Sequence, residues 1–188
     1  LTPMRKGALG VENLNQILQK YLNPPAPDKA ERENGGNILR EGDKVMQIRN
    51  NYDLSWEREN NGMRQEGTGV YNGDIGRIEK IDPTQECMII RFDDRVVSYD
   101  FSLVDELELA YAVTVHKSQG SEYPVVILPI YRFSPRLMTR NLLYTAVTRA
   151  SEMVILVGDE EQVKAMVDNN RQSKRYSALA KRLSTYEA

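Results

Sequence analysis

Hydrophobic and polar positions alternate most sharply between Leu109 and Pro129, where two apolar runs rich in β-branched residues flank a short polar segment. This pattern predicts a strand, a tight polar turn and a second strand in an α/β layer. Open α/β sheets bind ligands at strand ends, and Gly120 would let a ligand approach the backbone closely. The Ser, Gly and Glu residues of the turn are also typical of a surface-helix cap, so the turn taken alone leaves both interpretations open.

A second informative segment runs from Asn141 to Asp159. Its first half has apolar residues at helical spacing, namely Leu142, Leu143, Ala146 and Val147. The pattern predicts an amphipathic helix with Arg149 at its C-terminal end. The apolar run from Met153 to Val157 then predicts a buried strand.

The N-terminal half changes from helical to short-strand patterning. Apolar positions predict a helix from Val11 to Tyr21, which Asn23-Pro24-Pro25 would end. Ala26 to Asn37 is polar, contains Pro and Gly, and is predicted to be a linker. Five β-like runs separated by turn signals follow and predict a small barrel: Val45–Ile48, Thr68–Tyr71, Gly76–Ile81, Met88–Phe92 and Arg95–Tyr99. The polar segment from Asn51 to Gln65 is predicted to be a hairpin loop, with Trp56 in a packing rather than a base-stacking role.

After Phe101 the pattern returns to alternating strands and helices. The predicted elements are a strand Leu107–Thr114, a turn His116–Gly120, a strand Val125–Ile130, a helix Thr139–Ala150, a strand Val154–Val157, and closing helices Glu160–Asn169 and Ser173–Thr185.

Composition is that of an ordinary globular protein, with 40% hydrophobic and 28% charged residues in 188. The formal net charge is -2, with an acidic excess from Arg40 to Glu108 and a basic excess from Tyr111 to Ala188. The net negative charge of the central part therefore cannot attract DNA, so any DNA contact by this part would have to come from a local face. The basic residues near the end are interpreted first as a solvated helix face: Lys164, Arg171, Lys174, Arg175, Lys181 and Arg182.

The single cysteine, Cys87, excludes an internal disulfide framework, and its alternating context predicts a half-buried strand residue rather than a reactive thiol. No run reaches the roughly 18 apolar residues of a membrane helix, and the start lacks the apolar region of a signal peptide. These features lead us to expect a cytoplasmic protein. The sole histidine, His116, cannot by itself form a zinc site, and no metal site is predicted.

Two motifs carry a resemblance to superfamily 1 helicases: VTVHKSQGSE and LLYTAVTRA. They resemble the fifth and sixth motifs of the RecD-type branch, which includes the alpha subunit of exodeoxyribonuclease V. TPMRKG followed by LNQILQKYLNP is similar to the family's fourth motif region. GDKVMQIRNNYDL and GVYNGDIGRIEKID resemble the SH3-like barrel that these helicases insert into their second motor lobe.

The resemblance implies an α/β fold in which a RecA-like second motor lobe (1–37 and 103–188) carries an inserted SH3-like β-barrel (38–102). It implies the C-terminal part of an ATP-dependent DNA helicase that moves 5′ to 3′. We expect this sequence to be cut from a larger parent protein that extends on its N-terminal side. The sequence contains no GxxxxGK[ST] phosphate loop, so ATP and Mg²⁺ would be held mainly by a separate first lobe, and this chain alone should be inactive. The implied partners are single-stranded DNA, that N-terminal lobe, and possible further nuclease or helicase subunits.

The same resemblance gives roles to individual residues. Arg149 would be the arginine finger, for which a permanently charged, forked guanidinium is suited; a helix-end charge stabilised by the macrodipole is the other interpretation. Gly120 would let the main chain approach the γ-phosphate and Glu122 would meet the ribose. The expected DNA contacts are Thr114, His116 and Lys117. His116 could instead be structural, and Tyr144 is expected to pack in the core.

A second class of function remains open from sequence: a nucleic-acid or partner-binding module on a degenerate lobe without motor activity.

Overall fold

The computed structural model describes residues 1–60, 62–131 and 134–170. Its helices are α1 (Val11–Leu22), α2 (Arg140–Val147) and α3 (Glu160–Asp168), with a 3₁₀ helix at Phe101–Glu106. Its strands are β1 (Glu31–Asn34), β2 (Asn37–Arg40), β3 (Lys44–Gln47), β4 (Asn51–Asn60), β5 (Met63–Val70), β6 (Ile75–Asp82), β7 (Cys87–Phe92), β8 (Arg95–Asp100), β9 (Leu107–Leu109), β10 (Tyr123–Ile130) and β11 (Ala150–Gly158). No helix in the described part of the chain is long and apolar enough to cross a membrane.

Helix α1 confirms the predicted N-terminal helix and ends at Leu22, with Asn23 as its C-cap before the two prolines. Its buried face is partly polar, because Asn15 and Gln19 are both buried. The Asn15 amide donates to the carbonyls of Leu109 and Ala112 at 2.7 and 3.1 Å, and its oxygen accepts from the Ala112 amide at 2.7 Å. Since buried amides need partners, these bonds fix α1 against the segment that leads into the polar turn.

The central strands form one antiparallel sheet in the order β5-β4-β8-β7-β6-β3-β9. All five predicted β-like runs lie in this sheet, which is separate from the parallel strands. Its core includes Val45, Ile78, Ile90, Phe92 and Tyr99, each at most 1% exposed. The predicted closed barrel is not observed: in the described residues β5 pairs only with β4 and β9 only with β3, so no ladder joins the two edges.

Two segments predicted as irregular are instead strands. The polar stretch Asn51–Gln65 forms most of the β4–β5 hairpin, because Leu54 and the half-buried Trp56 give it an inner face while ion pairs such as Arg64 with Glu57 lie outside. A Cβ on Gly67 would overlap the Trp56 indole, which explains why a glycine lies opposite it. This contact supports the packing role of Trp56. Part of the predicted linker forms the β1–β2 hairpin.

The predicted strand Leu107–Thr114 is wrong in extent. Only Leu107–Leu109 is a strand, and it pairs antiparallel with β3. The Asn15 amide occupies the carbonyls of Leu109 and Ala112, so the backbone leaves the sheet there. Thr114 then forms an isolated parallel bridge with Thr2.

Strands β10 and β11 form a two-stranded parallel sheet, which confirms the α/β class with a parallel pair. Helices α2 and α3 bury residues such as Leu142, Ala146 and Met166 against Leu128 and Ile130. The prediction that Met153–Val157 is buried was wrong, since Met153 is 56% and Val157 54% exposed. Among the described residues this parallel sheet has only two strands, so the outer face of β11 has no covering neighbour. The predicted helix Ser173–Thr185 and its basic residues lie outside the described residues.

Candidate functional site

The polar turn is a compact hydrogen-bonded loop that leads directly into β10. The Ser118 amide donates to the Thr114 carbonyl at 3.0 Å, and the Ser121 amide donates to the Ser118 carbonyl at 3.1 Å. The Ser118 side chain is fully buried and donates to the Val115 carbonyl at 2.8 Å. No α-helix begins here, so the helix-cap interpretation is wrong for this turn. Internal bonding of the small residues leaves the remaining polar side chains facing outward.

Gly120 has a φ of +90°, a left-handed conformation that residues with a side chain rarely adopt. A Cβ at this position would meet nothing within 4 Å, so the glycine is required by conformation and not by crowding. Glu122, two residues later, is exposed, and it forms no ion pair within the described chain. The turn thus presents an open stretch of backbone beside a free carboxylate.

Arg149 joins the helix motif to this turn. It lies just beyond Thr148, the C-cap of α2, and its Nη1 donates to the Ser121 carbonyl at 3.2 Å. The Tyr123 amide in turn donates to the Arg149 carbonyl at 2.8 Å. The guanidinium therefore reaches across to the neighbouring turn rather than folding back onto the carbonyls of its own helix.

Two buried polar atoms beside this contact have no hydrogen-bond partner among the described residues: Arg149 Nε and the Tyr123 hydroxyl. Burial raises the pKa of Tyr123, and its phenol is protonated at neutral pH as any tyrosine is. Unsatisfied buried polar atoms cost free energy, so each calls for an explanation, and a partner that binds there is one. Their position marks the junction of Arg149 with the turn as the centre of the candidate site.

The three predicted DNA contacts line one hollow of about 250 Å³ on the N-terminal side of the turn. Lys117 Nζ lies 2.9 Å from Glu108 Oε2, and the Lys117 amide donates to Thr114 Oγ1 at 3.1 Å. His116 is exposed, and it has no bond from its ring to a neighbouring carbonyl within the described chain. The structure therefore offers no support for a structural role of His116.

The same hollow contains Arg5, which sequence reasoning missed. Arg5 Nη2 lies 3.1 Å from the second oxygen of Glu108, so that one carboxylate holds Arg5 and Lys117 together. Arg5 is separated from this region by more than half the chain, and it reaches the hollow because Thr2 pairs with Thr114. The basic residues of the segment TPMRKG were the only available signal.

Asp43 is a second residue that the sequence did not reveal. Its carboxylate is fully buried and accepts hydrogen bonds from four groups: Gln19 Nε2 at 2.5 Å, Asn23 Nδ2 at 2.7 Å, the Arg40 amide at 2.8 Å and the Tyr111 hydroxyl at 2.8 Å. Burial, then the bond to Asp43, raises the pKa of Tyr111. This Asp43 hub ties α1, the antiparallel sheet and the approach to the polar turn into one unit.

In contrast to Tyr111, Tyr144 does not pack as expected. It is 70% exposed on α2, one helical turn before the C-cap. Within the described chain, no group of three or more His, Cys, Asp or Glu side chains could hold a metal ion.

A hydrogen-bonded turn joined by an arginine to the following helix, on a parallel strand pair, defines a helicase-like α/β lobe. Family comparisons agree: residues 14–92 match the ATP-dependent RecD-like DNA helicase SH3 domain, and residues 109–157 match the UvrD-like helicase C-terminal domain. The chain therefore belongs to the RecD-type helicases over these two regions, which confirms the resemblance seen in its motifs.

Named relatives are consistent with this assignment. The chain is 32% identical over 190 aligned residues to the ATP-dependent RecD2 DNA helicase of Deinococcus radiodurans, covering 99% of this chain and 23% of the relative. It is 38% identical over 119 residues to the RecBCD enzyme subunit RecD of Mycobacterium tuberculosis, covering 63% of this chain and 20% of the relative. The chain thus spans about a quarter or less of these relatives' lengths.

Solved helicase structures share the fold. The Pif1 helicase from Bacteroides in complex with ADP-AlF3 and ssDNA superposes with a TM-score of 0.52 at 17% identity, covering 100% of this chain and 45% of that one. The Pif1 helicase from Candida albicans gives a TM-score of 0.52 at 14% identity, covering 99% and 49%. At these identities the likeness concerns the fold.

Proposed function

We propose that this chain forms the C-terminal, second motor lobe of an ATP-dependent DNA helicase that moves 5′ to 3′ on single-stranded DNA. The RecA-like lobe comprises 1–37 and 103–188, and 38–102 is an inserted SH3-like unit, with strand β9 extending its sheet into the lobe. The observation that carries the proposal is the bond from Arg149 Nη1 to the Ser121 carbonyl, which brings two distant motifs together beside Gly120 and Glu122. The other half of the ATP site belongs to a first lobe, which would hold Mg²⁺ and the β-phosphate.

Each residue has a physical role in this proposal. Arg149 supplies a fixed positive charge as negative charge develops on the γ-phosphate, and its planar fork matches two phosphate oxygens. The open backbone at Gly120 lets the phosphate approach main-chain groups, and Glu122 accepts hydrogen bonds from the ribose. Arg149 Nε has no hydrogen-bond partner among the described residues but is buried, so the proposal requires the guanidinium to turn outward when the phosphate binds.

DNA would follow the other side of the turn. The hollow lined by Thr114, His116, Lys117 and Arg5 offers a hydroxyl, an imidazole and two cations, which are common phosphate contacts. The residues proposed to contact the nucleotide and those proposed to contact DNA meet at one short turn. This arrangement would couple ATP hydrolysis mechanically to DNA binding. The further partners we propose are other nuclease or helicase subunits, in a cytoplasmic setting.

Alanine at Gly120 provides a test with a closely matched control. Gly36 has a φ of +83° and, like Gly120, has nothing within 4 Å of an added Cβ. Both Gly120→Ala and Gly36→Ala should lose about 1 kcal/mol of stability from the left-handed backbone. In the longer protein that joins this chain to a first lobe, only Gly120→Ala should also impair DNA-stimulated ATP hydrolysis. Equal ATPase activity in the two variants at matched stability would contradict the proposed nucleotide approach.

A further inference from the structure

Two tyrosines lie side by side on the surface of the antiparallel sheet, at the end of the β4–β5 hairpin away from its loop. Tyr52 on β4 and Tyr71, directly after β5, have ring centroids 5.8 Å apart and an interplanar angle of 71°. They flank the cross-strand pair of Asn51 with Val70 on its diagonal. Tyr52 is 64% and Tyr71 44% exposed, although aromatic rings stabilise a fold mainly when they are buried. We call this pair, which leaves aromatic surface open to solvent, the tyrosine platform.

Hydrogen bonds hold both members of the tyrosine platform in place. The Tyr71 amide donates to Asp74 Oδ2 at 3.1 Å, and the Asp74 amide donates to the Tyr71 carbonyl at 2.9 Å. Asn50 Nδ2 donates to the Tyr52 hydroxyl at 3.3 Å, while Asn50 Oδ1 accepts from the Asn72 amide at 2.9 Å. A surface whose side chains are already ordered loses less entropy when a ligand binds, so this geometry favours binding.

The chemistry of the tyrosine platform and its surroundings suits a single-stranded nucleic acid. Every base has a π face that can stack on an aromatic ring, and stacking requires no net charge. The exposed carboxylate of Asp53 follows Tyr52 directly, so phosphate contacts alone could not hold a strand here. Arg49 supplies a cation: its Nη1 lies 3.1 Å from Asp105 Oδ2, and the two side chains are 62% and 61% exposed. Because exposed ion pairs contribute little free energy, a phosphate can compete with Asp105 for Arg49.

The tyrosine platform also lies near the hollow that the proposed DNA contacts line. Glu108 lines that hollow and pairs across the sheet with Met46, and Met46 pairs with Ile75. These two strand spacings span about 10 Å. Asp74, which precedes Ile75, bonds to Tyr71. Single-strand sites of other proteins cover about 4–16 nucleotides, so one oligonucleotide can reach both places.

We propose that the tyrosine platform binds single-stranded DNA by stacking bases on Tyr52 and Tyr71, with Arg49 contacting a neighbouring phosphate. This site lies on the inserted sheet, and it is separate from the nucleotide site at the polar turn. Only its continuity with the hollow rests on the proposed function. Because stacking tolerates any base, the platform binds without sequence preference, and it keeps hold of the strand when contacts at the hollow are released.

The test measures binding of a fluorescein-labelled oligothymidine of about 16 nucleotides to this 188-residue chain by fluorescence anisotropy at low salt. Tyr52→Ala and Tyr71→Ala should each weaken binding by between about 5-fold and 150-fold, the range for loss of one stacked base. Tyr52→Phe and Tyr71→Phe keep the rings and should bind almost as tightly as the unsubstituted chain. The matched control is Tyr21→Ala, which removes a tyrosine that is 78% exposed on α1 and should leave binding unchanged.

Two further readouts separate stacking from charge. An oligomer of abasic nucleotides keeps the phosphates but offers no bases, so the unsubstituted chain should bind it more weakly than oligothymidine. A chain with both Tyr52→Ala and Tyr71→Ala should bind the two oligomers alike. Arg49→Gln should reduce the slope of log affinity against log salt by about 0.7, the value for one phosphate of a single strand, whereas the tyrosine variants should leave that slope unchanged.

The unsubstituted chain must bind oligothymidine measurably, and the absence of such binding would overturn the proposal. Equal affinities of Tyr52→Ala, Tyr71→Ala and Tyr21→Ala would overturn it too. If Lys117→Gln weakens oligothymidine binding and the Tyr52 and Tyr71 variants do not, the platform is wrong and the proposed DNA contacts at the hollow stand. If the Tyr52 and Tyr71 variants weaken binding and Lys117→Gln does not, the platform stands and those contacts fall.

Discussion

Replacing Arg149 by alanine should reduce DNA-stimulated ATP hydrolysis of the longer helicase by about 10³-fold or more, the range found when an arginine finger is removed. Nucleotide affinity should change little, because in this proposal the first lobe would supply most of the ground-state contacts and the guanidinium would act mainly on charge in the transition state. The measurement is the steady-state ATPase rate beside nucleotide binding at equilibrium. DNA unwinding should fall with hydrolysis, while DNA binding without nucleotide should persist.

Two further variants make this prediction specific. Arg149→Lys should recover activity only partly, because a point charge replaces a planar fork. Arg64→Ala removes an exposed arginine from the β4–β5 hairpin and should leave hydrolysis unchanged. Arg149→Ala should cost only about 1 kcal/mol of stability, the value of its bond to Ser121. A much larger drop in melting temperature with normal turnover per folded molecule would identify Arg149 as a structural residue at a helix end.

Removing the carboxylate of Asp43 should give the largest stability loss of any single polar substitution considered for this chain. Asp43→Ala removes four hydrogen bonds and leaves the Arg40 amide and the Tyr111 hydroxyl without an acceptor, while Gln19 and Asn23 keep one bond each to the Ile38 and Glu41 carbonyls; the free energy of unfolding should fall by about 3–5 kcal/mol. Urea denaturation of this chain measures the loss. Asp53→Ala, at an exposed position on β4, should stay within about 0.5 kcal/mol of the unsubstituted chain.

The Asp43 result also bears on the site. Because Tyr111 lies just before the polar turn, loosening the Asp43 hub should disturb the turn as well as the sheet. If Asp43→Ala were no more destabilised than Asp53→Ala, the hub would not stabilise the fold, and the sheet and turn would be independent of each other.

Apolar periodicity was sufficient for most regular elements of this chain. Helix α1, strands β6 to β8 and β10 each contain a clear alternating or helical pattern, which the solvent-excluded core enforces. The β4–β5 hairpin was missed as regular structure because most of its side chains are polar, and among its described side chains Leu54, Trp56 and Val70 are those that belong to the core. Ladder hydrogen bonds, which leave no trace in composition, hold it together.

Spatial neighbours from distant parts of the chain were harder to predict. The motifs suggested that Arg149 and the polar turn share a site, and the structure joins them through Ser121. Arg5, Asp43 and the pair of Tyr52 with Tyr71 could not be found from sequence, because strand register and the pairing of Thr2 with Thr114 depend on tertiary packing. The exposure of the outer face of β11 was unpredictable for a similar reason, because an apolar run predicts a strand but does not specify what covers it.

The central claim is that the turn at Gly120 and the guanidinium of Arg149 face the γ-phosphate of ATP. Its most direct test is a structure of the longer protein with a transition-state analogue of ATP and single-stranded DNA. We expect Arg149 nitrogens within hydrogen-bond distance, about 3 Å, of the γ-phosphate analogue, with Thr114, His116 and Lys117 along the DNA backbone. A structure in which the Arg149 guanidinium keeps its bonds to Ser121 and Thr148 and lies far from the nucleotide would contradict the claim.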